Sequence, residues 1–371
     1  MNITFLLPFN SINGGPRVVA TYARKLTERG HVVTVLSQPF DGRVPPKDRL
    51  KRLLGRATIE RVQPPRSPFL DFLGDRHRVL DRPGPPRPSD VPDADVIIAT
   101  WWETAEWVAA LPAAKGRKFY LIQGYEVFSP QTAARVIATY DLPLRKIAVS
   151  DYVRGEIVAR HGIEDIAVVP NAIDTEQFRT PPRSRNDDLT VGFLYSGAPV
   201  KRAWLAIEAL TRAKARLPGL RASMFGADPV TPDLPLPDWV RYEQSPAQNR
   251  IPALYAACDL WLFTSDNEGF GLPILEAMAC RTPVLATRAG AAPQIIDGSN
   301  GVLLPAEAGA FADEIARFAQ MPDAQWQAWS AAAHRTATGY TWDDATDRLL
   351  ALLQADPAAS RTDPGRSPAS A

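Results

Sequence analysis

Short apolar runs recur along this chain at intervals that fit alternating strands and helices. The first, Asn2-Ile3-Thr4-Phe5-Leu6-Leu7, stops at Pro8. After Gly14-Gly15-Pro16 the apolar positions take a helical spacing as far as Glu28. Gly30 then punctuates, and Val32-Val33-Thr34-Val35-Leu36 forms a second run. Strand, helix and strand at this spacing predict a right-handed βαβ unit and a parallel sheet. Further runs at 96–99, 119–122, 147–149 and 167–169 extend it, with helical stretches between them. Residues 179–188 are polar, hold two prolines and read as a linker. The rhythm restarts at 189–194 and continues through 221–225, 260–263, 283–286 and 301–304. Helical patterns follow at 307–319, 323–336 and, with an amphipathic face, 342–353. The pattern predicts two doubly wound α/β domains in tandem, over residues 1–170 and 171–340. A last helix covers 341–355, and a Pro, Ala, Ser and Arg tail at 356–371 is expected to be disordered.

One segment breaks this rhythm. Residues 39–92 hold 11 prolines, and a single strand near 58–62 is expected within an irregular excursion. The islands Phe69-Leu70 and Phe72-Leu73 sit among its arginines. Its plainer interpretation is a surface insertion kept soluble by those arginines. Its sharper one is a basic flap that meets an anionic membrane surface through Arg49, Lys51, Arg52 and Arg56.

The strongest chemical signal is Glu268-Gly269-Phe270-Gly271-Leu272-Pro273-Ile274-Leu275-Glu276. The apolar run Leu260-Trp261-Leu262-Phe263 precedes it, and Pro273 suits the first turn of a helix. A strand, a glycine loop and a helix place free backbone N–H groups and a positive dipole end at a strand's carboxyl edge, where an anion binds. A diphosphate there would have one carboxylate on each side. The plainer alternative is a solvated loop acid and an unrelated helix-surface acid, which leaves the glycines and the buried strand unexplained.

This spacing resembles the Glu-x7-Glu signature of family 4 retaining glycosyltransferases of GT-B fold, and the likeness runs through most of the chain. Gly14-Gly15 is similar to that family's N-terminal glycine loop. Val169-Pro170-Asn171-Ala172-Ile173-Asp174 is similar to its inter-domain segment, with Ala172 where glycine is usual. Lys201 stands at its phosphate-binding lysine position, where it is expected to open a helix. The resemblance implies two Rossmann-like domains facing across a cleft, with the terminal helix crossing back onto the first domain. It implies transfer of a hexosyl or deoxyhexosyl group from a nucleotide-diphosphate sugar to a saccharide or lipid-linked acceptor, with no metal or other cofactor. The setting it suggests is assembly of a cell-surface polysaccharide or glycolipid at the cytosolic face of a membrane.

Site roles follow from that resemblance. Glu268 contacts the transferred sugar and Lys201 stabilises the leaving diphosphate, with Arg202 beside it. The backbone of Gly269, Phe270, Gly271 and Leu272 approaches the phosphates, and Gly14 and Gly15 close over them. Glu276 accepts the ribose hydroxyls. Many relatives carry an arginine five residues before the lysine, and this chain has Ser196 there. Two further loops, Thr100-Trp101-Trp102-Glu103 and Gln123-Gly124-Tyr125-Glu126, follow predicted strands. Their aromatic faces and polar groups suit sugar, so Trp101, Glu103, Gln123, Tyr125 and Glu126 are assigned to the acceptor, with a donor role open for Glu126. One of Trp101 and Trp102 is expected in the core.

Composition narrows the alternatives. The net charge is +1 with 22% charged residues, which excludes a dedicated nucleic-acid binder. The charge is uneven, net +6 over residues 1–170 and net −5 beyond. Cys258 and Cys280 sit in apolar settings and suggest no disulfide framework, which fits a cytoplasmic protein. His31, His77, His161 and His334 are scattered without metal-ligand spacing. No apolar run is long enough to span a membrane, and the first residues lack a signal peptide's basic start. A nicotinamide-dependent oxidoreductase is disfavoured: Gly-x-Gly-x-x-Gly is missing, and Asp41 is the nearest acid to the second strand's end. A catalytically silent GT-B partner module is the other alternative, invited by Ser196.

Overall fold

The computed structural model describes residues 1–9, 14–39, 68–127 and 130–355. The expected strand at 58–62, Asp41, the basic residues Arg49, Lys51, Arg52 and Arg56, and the tail at 356–371 lie outside the described residues.

Two parallel sheets organise the molecule. The first holds β1 (Asn2–Leu7), β2 (Val32–Ser37), β3 (His77–Val79), β4 (Val96–Ala99), β5 (Arg117–Ile122), β6 (Arg145–Ala148) and β7 (Ile166–Val168) in the order β3-β2-β1-β4-β5-β6-β7. Phe5 of β1 stands beside Val35 of β2 and Ile98 of β4. The second holds β8 (Thr190–Phe193), β9 (Arg221–Gly226), β10 (Val240–Gln244), β11 (Leu260–Phe263), β12 (Val284–Ala286) and β13 (Gly301–Leu303) in the order β10-β9-β8-β11-β12-β13.

Side chains alternate across a strand, so a strand covered by helices on both faces must be apolar at every position. β11 shows this. Leu260 and Leu262 enter one hydrophobic cluster, Trp261 and Phe263 another, and all four are buried. In each sheet the strand order reverses at one point, between β1 and β4 and between β8 and β11. Ligands in open α/β sheets bind beyond the carboxyl ends of the strands at such points.

The helix Trp342–Gln354 crosses back onto the first domain, as the resemblance implied. Thr341 caps it, accepting from the Asp344 N–H at 3.1 Å. The Trp342 ring meets the edge of Tyr22 at 5.2 Å between centroids. Asp343 pairs with Lys25 and Arg29, each at 3.1 Å. At the far end, Arg117 and Arg145 donate to the carbonyls of Leu353, Leu352 and Ala355. Cations there complement both the unpaired carbonyls and the negative end of the helix dipole.

Two strands escaped the sequence pattern. β10 reads Val-Arg-Tyr-Glu-Gln and is half exposed at a sheet edge, so it lacks the continuous apolar run of its neighbours. β3 is three residues long, also at an edge. The islands of the irregular segment do not face outward. Leu70 and Leu73 are buried, and the Phe72 ring lies under Arg24 at 4.5 Å, on the helix Gly14–Glu28. Among the described residues, these two islands therefore form no exposed apolar patch. Among the described residues, no helix is long and apolar enough to cross a membrane.

Candidate active site

The loops that follow β1, β4, β5, β8 and β11 converge between the two sheets. They enclose two neighbouring cavities of about 400 and 360 Å³. Gly15, Gln123, Lys201, Glu268 and Gly269 line both.

At the boundary between the cavities, Lys201 Nζ is ion-paired with Glu268 Oε1. Ser265 Oγ also donates to that oxygen, at 2.8 Å. Residues 67 apart in sequence meet here because β8 and β11 are adjacent strands. The loop after β8 is strapped onto the loop after β11: Asp266 N–H donates to the Val200 carbonyl at 2.8 Å, and Thr264 Oγ1 to those of Lys201 and Arg202, each at 3.1 Å. Lys201 does not open a helix as expected. It ends a short 3-10 turn, Pro199–Lys201, and the helix starts at Ala203. A cation in the first turn of a helix opposes the dipole, and this offset keeps Lys201 out of it.

Glu276 lies on the helix Leu272–Ala279, and its side chain is only 8% exposed. Oε1 pairs with the Arg17 guanidinium, and Oε2 accepts from Tyr255 OH at 2.8 Å. Burial, and then the neighbouring Glu276 carboxylate, push the Tyr255 phenol well above its usual range. Glu276 raises the Arg17 guanidinium in turn. A carboxylate oxygen accepts about two hydrogen bonds. Each oxygen of Glu276 therefore retains one site for a ligand hydroxyl.

The glycines have a reason that the sequence did not show. A Cβ on Gly269 would sit 1.7 Å from the Gln123 carbonyl oxygen. Ser150 Oγ donates to the Gly269 carbonyl at 2.5 Å. The loop after β11 is thus pressed onto the first domain. Gly271 has φ 93° and leads into the helix, a backbone setting that favours glycine. Gly14 and Gly15 begin the helix Gly14–Glu28 and line the larger cavity; Gly15 faces the Gln123 amide.

Other expected site residues divide. Phe270 and Leu272 line the larger cavity, and Phe270 is also buried against Tyr340. Trp101, Gln123, Tyr125 and Glu126 line the smaller one. Trp102 is the core aromatic of its pair, buried beneath Arg135 at 4.7 Å. Two residues do not join the site. Arg202 has a left-handed backbone, φ 46°, and pairs with Asp266 at 2.7 Å, away from both cavities. Glu103 also lies outside them. Burial raises its carboxyl, and Arg135 opposes that rise. Ser196 binds Asp228 Oδ2 at 3.0 Å and supplies no cation.

Arg17, Tyr255 and Asn171 line the larger cavity and were missed. Asn171 Oδ1 is buried and, among the described residues, has no hydrogen-bond partner. A signal existed for Arg17: it stands near the amino end of a helix, where the dipole disfavours a cation. Tyr255 gave none, because an aromatic in an apolar helix reads as core. Among the described residues, no group of three or more His, Cys, Asp or Glu side chains is placed to hold a metal.

Residues 12–177 match the family model described as Glycosyltransferase Family 4, and residues 187–321 the model described as Glycosyl transferases group 1. The D-inositol 3-phosphate glycosyltransferase of Actinosynnema mirum is 29% identical over 245 residues, 58% of this chain and 58% of the relative. That of Mycobacterium bovis is 31% identical over 233 residues, 56% of this chain and 48% of the relative. The chain thus matches about half the length of these curated relatives. Among solved structures, Anabaena HepE with UDP and glucose has a TM-score of 0.70 at 22% identity, over 95% of this chain and 98% of HepE. TarM has a TM-score of 0.70 at 12% identity, over 95% of this chain and 99% of TarM. The fold is that of GT-B glycosyltransferases, two parallel α/β domains facing across a cleft.

Proposed function

We propose that this chain transfers a sugar, with retention and without a metal, from a nucleotide-diphosphate donor to a hydroxyl of a saccharide or lipid-linked acceptor. The observation that carries this is the Lys201–Glu268 pair at the boundary of two cavities, beyond the carboxyl edges of both sheets. The larger cavity, lined by Gly269, Gly271, Leu272 and Glu276, suits the nucleotide diphosphate. The smaller, with Trp101 and Tyr125, suits sugar rings.

As the bond from the anomeric carbon to the leaving phosphate oxygen breaks, negative charge grows on the diphosphate. Lys201 and the amino end of the helix Leu272–Ala279 are positioned to stabilise it. The acceptor hydroxyl forms the new bond on the same face and gives its proton to the departing phosphate oxygen. Glu268 steadies positive charge on the sugar. Its engagement with Lys201 and Ser265 supports this role over that of a free carboxylate nucleophile. Arg17 brings a second cation to the larger cavity, so Ser196 is no reason to read the chain as a silent module.

A panel of nucleotide sugars tests the assignment. A ligand bound only by the folded state raises apparent stability by mass action. At least one donor is expected to raise the melting temperature and to be consumed when saccharide acceptors are added. No stabilisation by any nucleotide sugar would remove the proposal.

A further inference from the structure

Glu126 sits in the smaller cavity in an environment that its sequence role does not explain. It follows β5, is 2% exposed, and has both its hydrogen-bond donors on one oxygen. Oε2 accepts from the Trp102 N–H at 2.7 Å and from Tyr120 OH at 2.9 Å. Oε1 is buried and, among the described residues, has no hydrogen-bond partner. Among the described residues, Arg135 pairs with Glu106, Arg160 with Glu156 and Lys201 with Glu268, and none of these cations pairs with Glu126. Burial without a compensating charge pushes the carboxyl up to about 8, and the bonds from Tyr120 and Trp102 only partly oppose this. The group is therefore mainly protonated at neutral pH. Two donors already occupy Oε2, so the proton belongs on Oε1. A buried O–H with no acceptor is uncommon in folded proteins and asks what it is for.

The cavity answers with its lining. Trp101 and Tyr125 offer aromatic surface, Gln123 an amide, and Lys201 and Glu268 the proposed reacting centre. Its volume, about 360 Å³, suits a monosaccharide unit. We propose that, when a sugar enters this cavity, the enclosed Glu126 carboxyl turns toward it and donates a hydrogen bond from Oε1–H to one of its hydroxyl oxygens. This inference rests on the glycosyl-transfer assignment and adds a specificity residue to it. The hydroxyl belongs either to the transferred sugar or to the acceptor saccharide, and the experiment separates the two.

Transfer is measured for wild type, Glu126→Gln and Glu126→Ala, with KM for each substrate from about pH 6 to pH 10. An ionised carboxylate accepts hydrogen bonds but cannot donate them. For wild type, KM of one substrate is expected to rise as pH passes about 8. The substrate that responds identifies the sugar. Glu126→Gln keeps a donor and cannot ionise, so its KM should lack that rise. Glu126→Ala should raise the same KM by about tenfold or more throughout the range, as expected when a donor to a substrate hydroxyl is lost. Tyr120 and Tyr140 hydrogen-bond Glu126, Tyr125 stacks on Tyr140 and bonds His161 at 3.1 Å, and Lys201 and Glu268 line the cavity. All of these remain in Glu126→Gln, so the difference from wild type isolates the carboxyl. Infrared spectroscopy adds a readout that needs no substrate: a protonated-carboxyl C=O band at neutral pH, absent in Glu126→Gln and lost from wild type on alkalinisation.

The inference is overturned if Glu126→Gln keeps the wild-type alkaline rise or if that band is absent at neutral pH. It is equally overturned if Glu126→Ala lowers the melting temperature while both KM values stay unchanged, which would make the residue a structural brace. If wild type transfers no sugar, the proposed function fails instead. Calorimetric binding of nucleotide sugars and saccharides over the same pH range then replaces KM with the same outcomes.

Discussion

Lys201→Ala is expected to lower kcat/KM for the donor by about 10²–10³-fold, the usual effect of removing one preorganised group that stabilises charge in a transition state. The Nζ of Lys201 is the cation found where the two cavities meet, and Thr264 and Asp266 hold its loop in place. Lys201→Arg should restore little of the activity, because a planar fork cannot occupy the point-like position of an ammonium. Two companion variants divide the account. Glu276→Ala should act mainly on donor affinity, and Glu268→Ala mainly on kcat. Steady-state kinetics with donor titration checks all four. If Lys201→Ala retained wild-type kcat/KM, the leaving-group assignment would fail.

Gly269→Ala should be nearly as damaging for a different reason. Gly269 does not have the positive φ that makes Gly271 depend on glycine, so its backbone conformation accepts an L side chain. The clash decides instead: the new methyl would lie 1.7 Å from the Gln123 carbonyl oxygen, with the Gly124 α-carbon at 3.3 Å. No side-chain rotation relieves a backbone contact, so the loop after β11 must withdraw from the first domain. A displacement of about 1 Å at a reacting centre costs about 10²-fold in rate. Overpacking of this kind also costs about 1–3 kcal/mol in stability. Gly155→Ala is the control. It lies within the helix Asp151–His161 with open space at its Cβ, and should gain about 0.5–1 kcal/mol. Melting temperatures and transfer rates of the two variants check the pair. Unimpaired transfer by Gly269→Ala would show that the domain contact is not needed.

The strands were legible where burial on both faces forced unbroken apolar runs, as in β4 and β11. β10 was not, because a half-exposed edge strand alternates with polar residues. The Glu268 loop and Lys201 could be picked out because each follows a buried strand and carries residue types that packing alone does not demand. Their pairing could not, since it depends on β8 and β11 being neighbours, and strand order is not written in local pattern. The position of Arg17 carried a signal, but its partner could not be read, because Glu276 lies 259 residues away, in the other domain. Glycine showed that the backbone comes close to something at Gly269. Only the structure shows that the neighbour is the Gln123 carbonyl. Arg202 stood beside Lys201 in sequence but has a left-handed backbone, and its guanidinium pairs with Asp266 instead.

The most direct test is a crystal structure with a nucleoside diphosphate bound. The diphosphate is expected within hydrogen-bond distance of Lys201 Nζ and the backbone amides that lead into the helix Leu272–Ala279, with the ribose at Glu276. A nucleotide seated elsewhere, with Lys201 and Glu276 untouched, would contradict it.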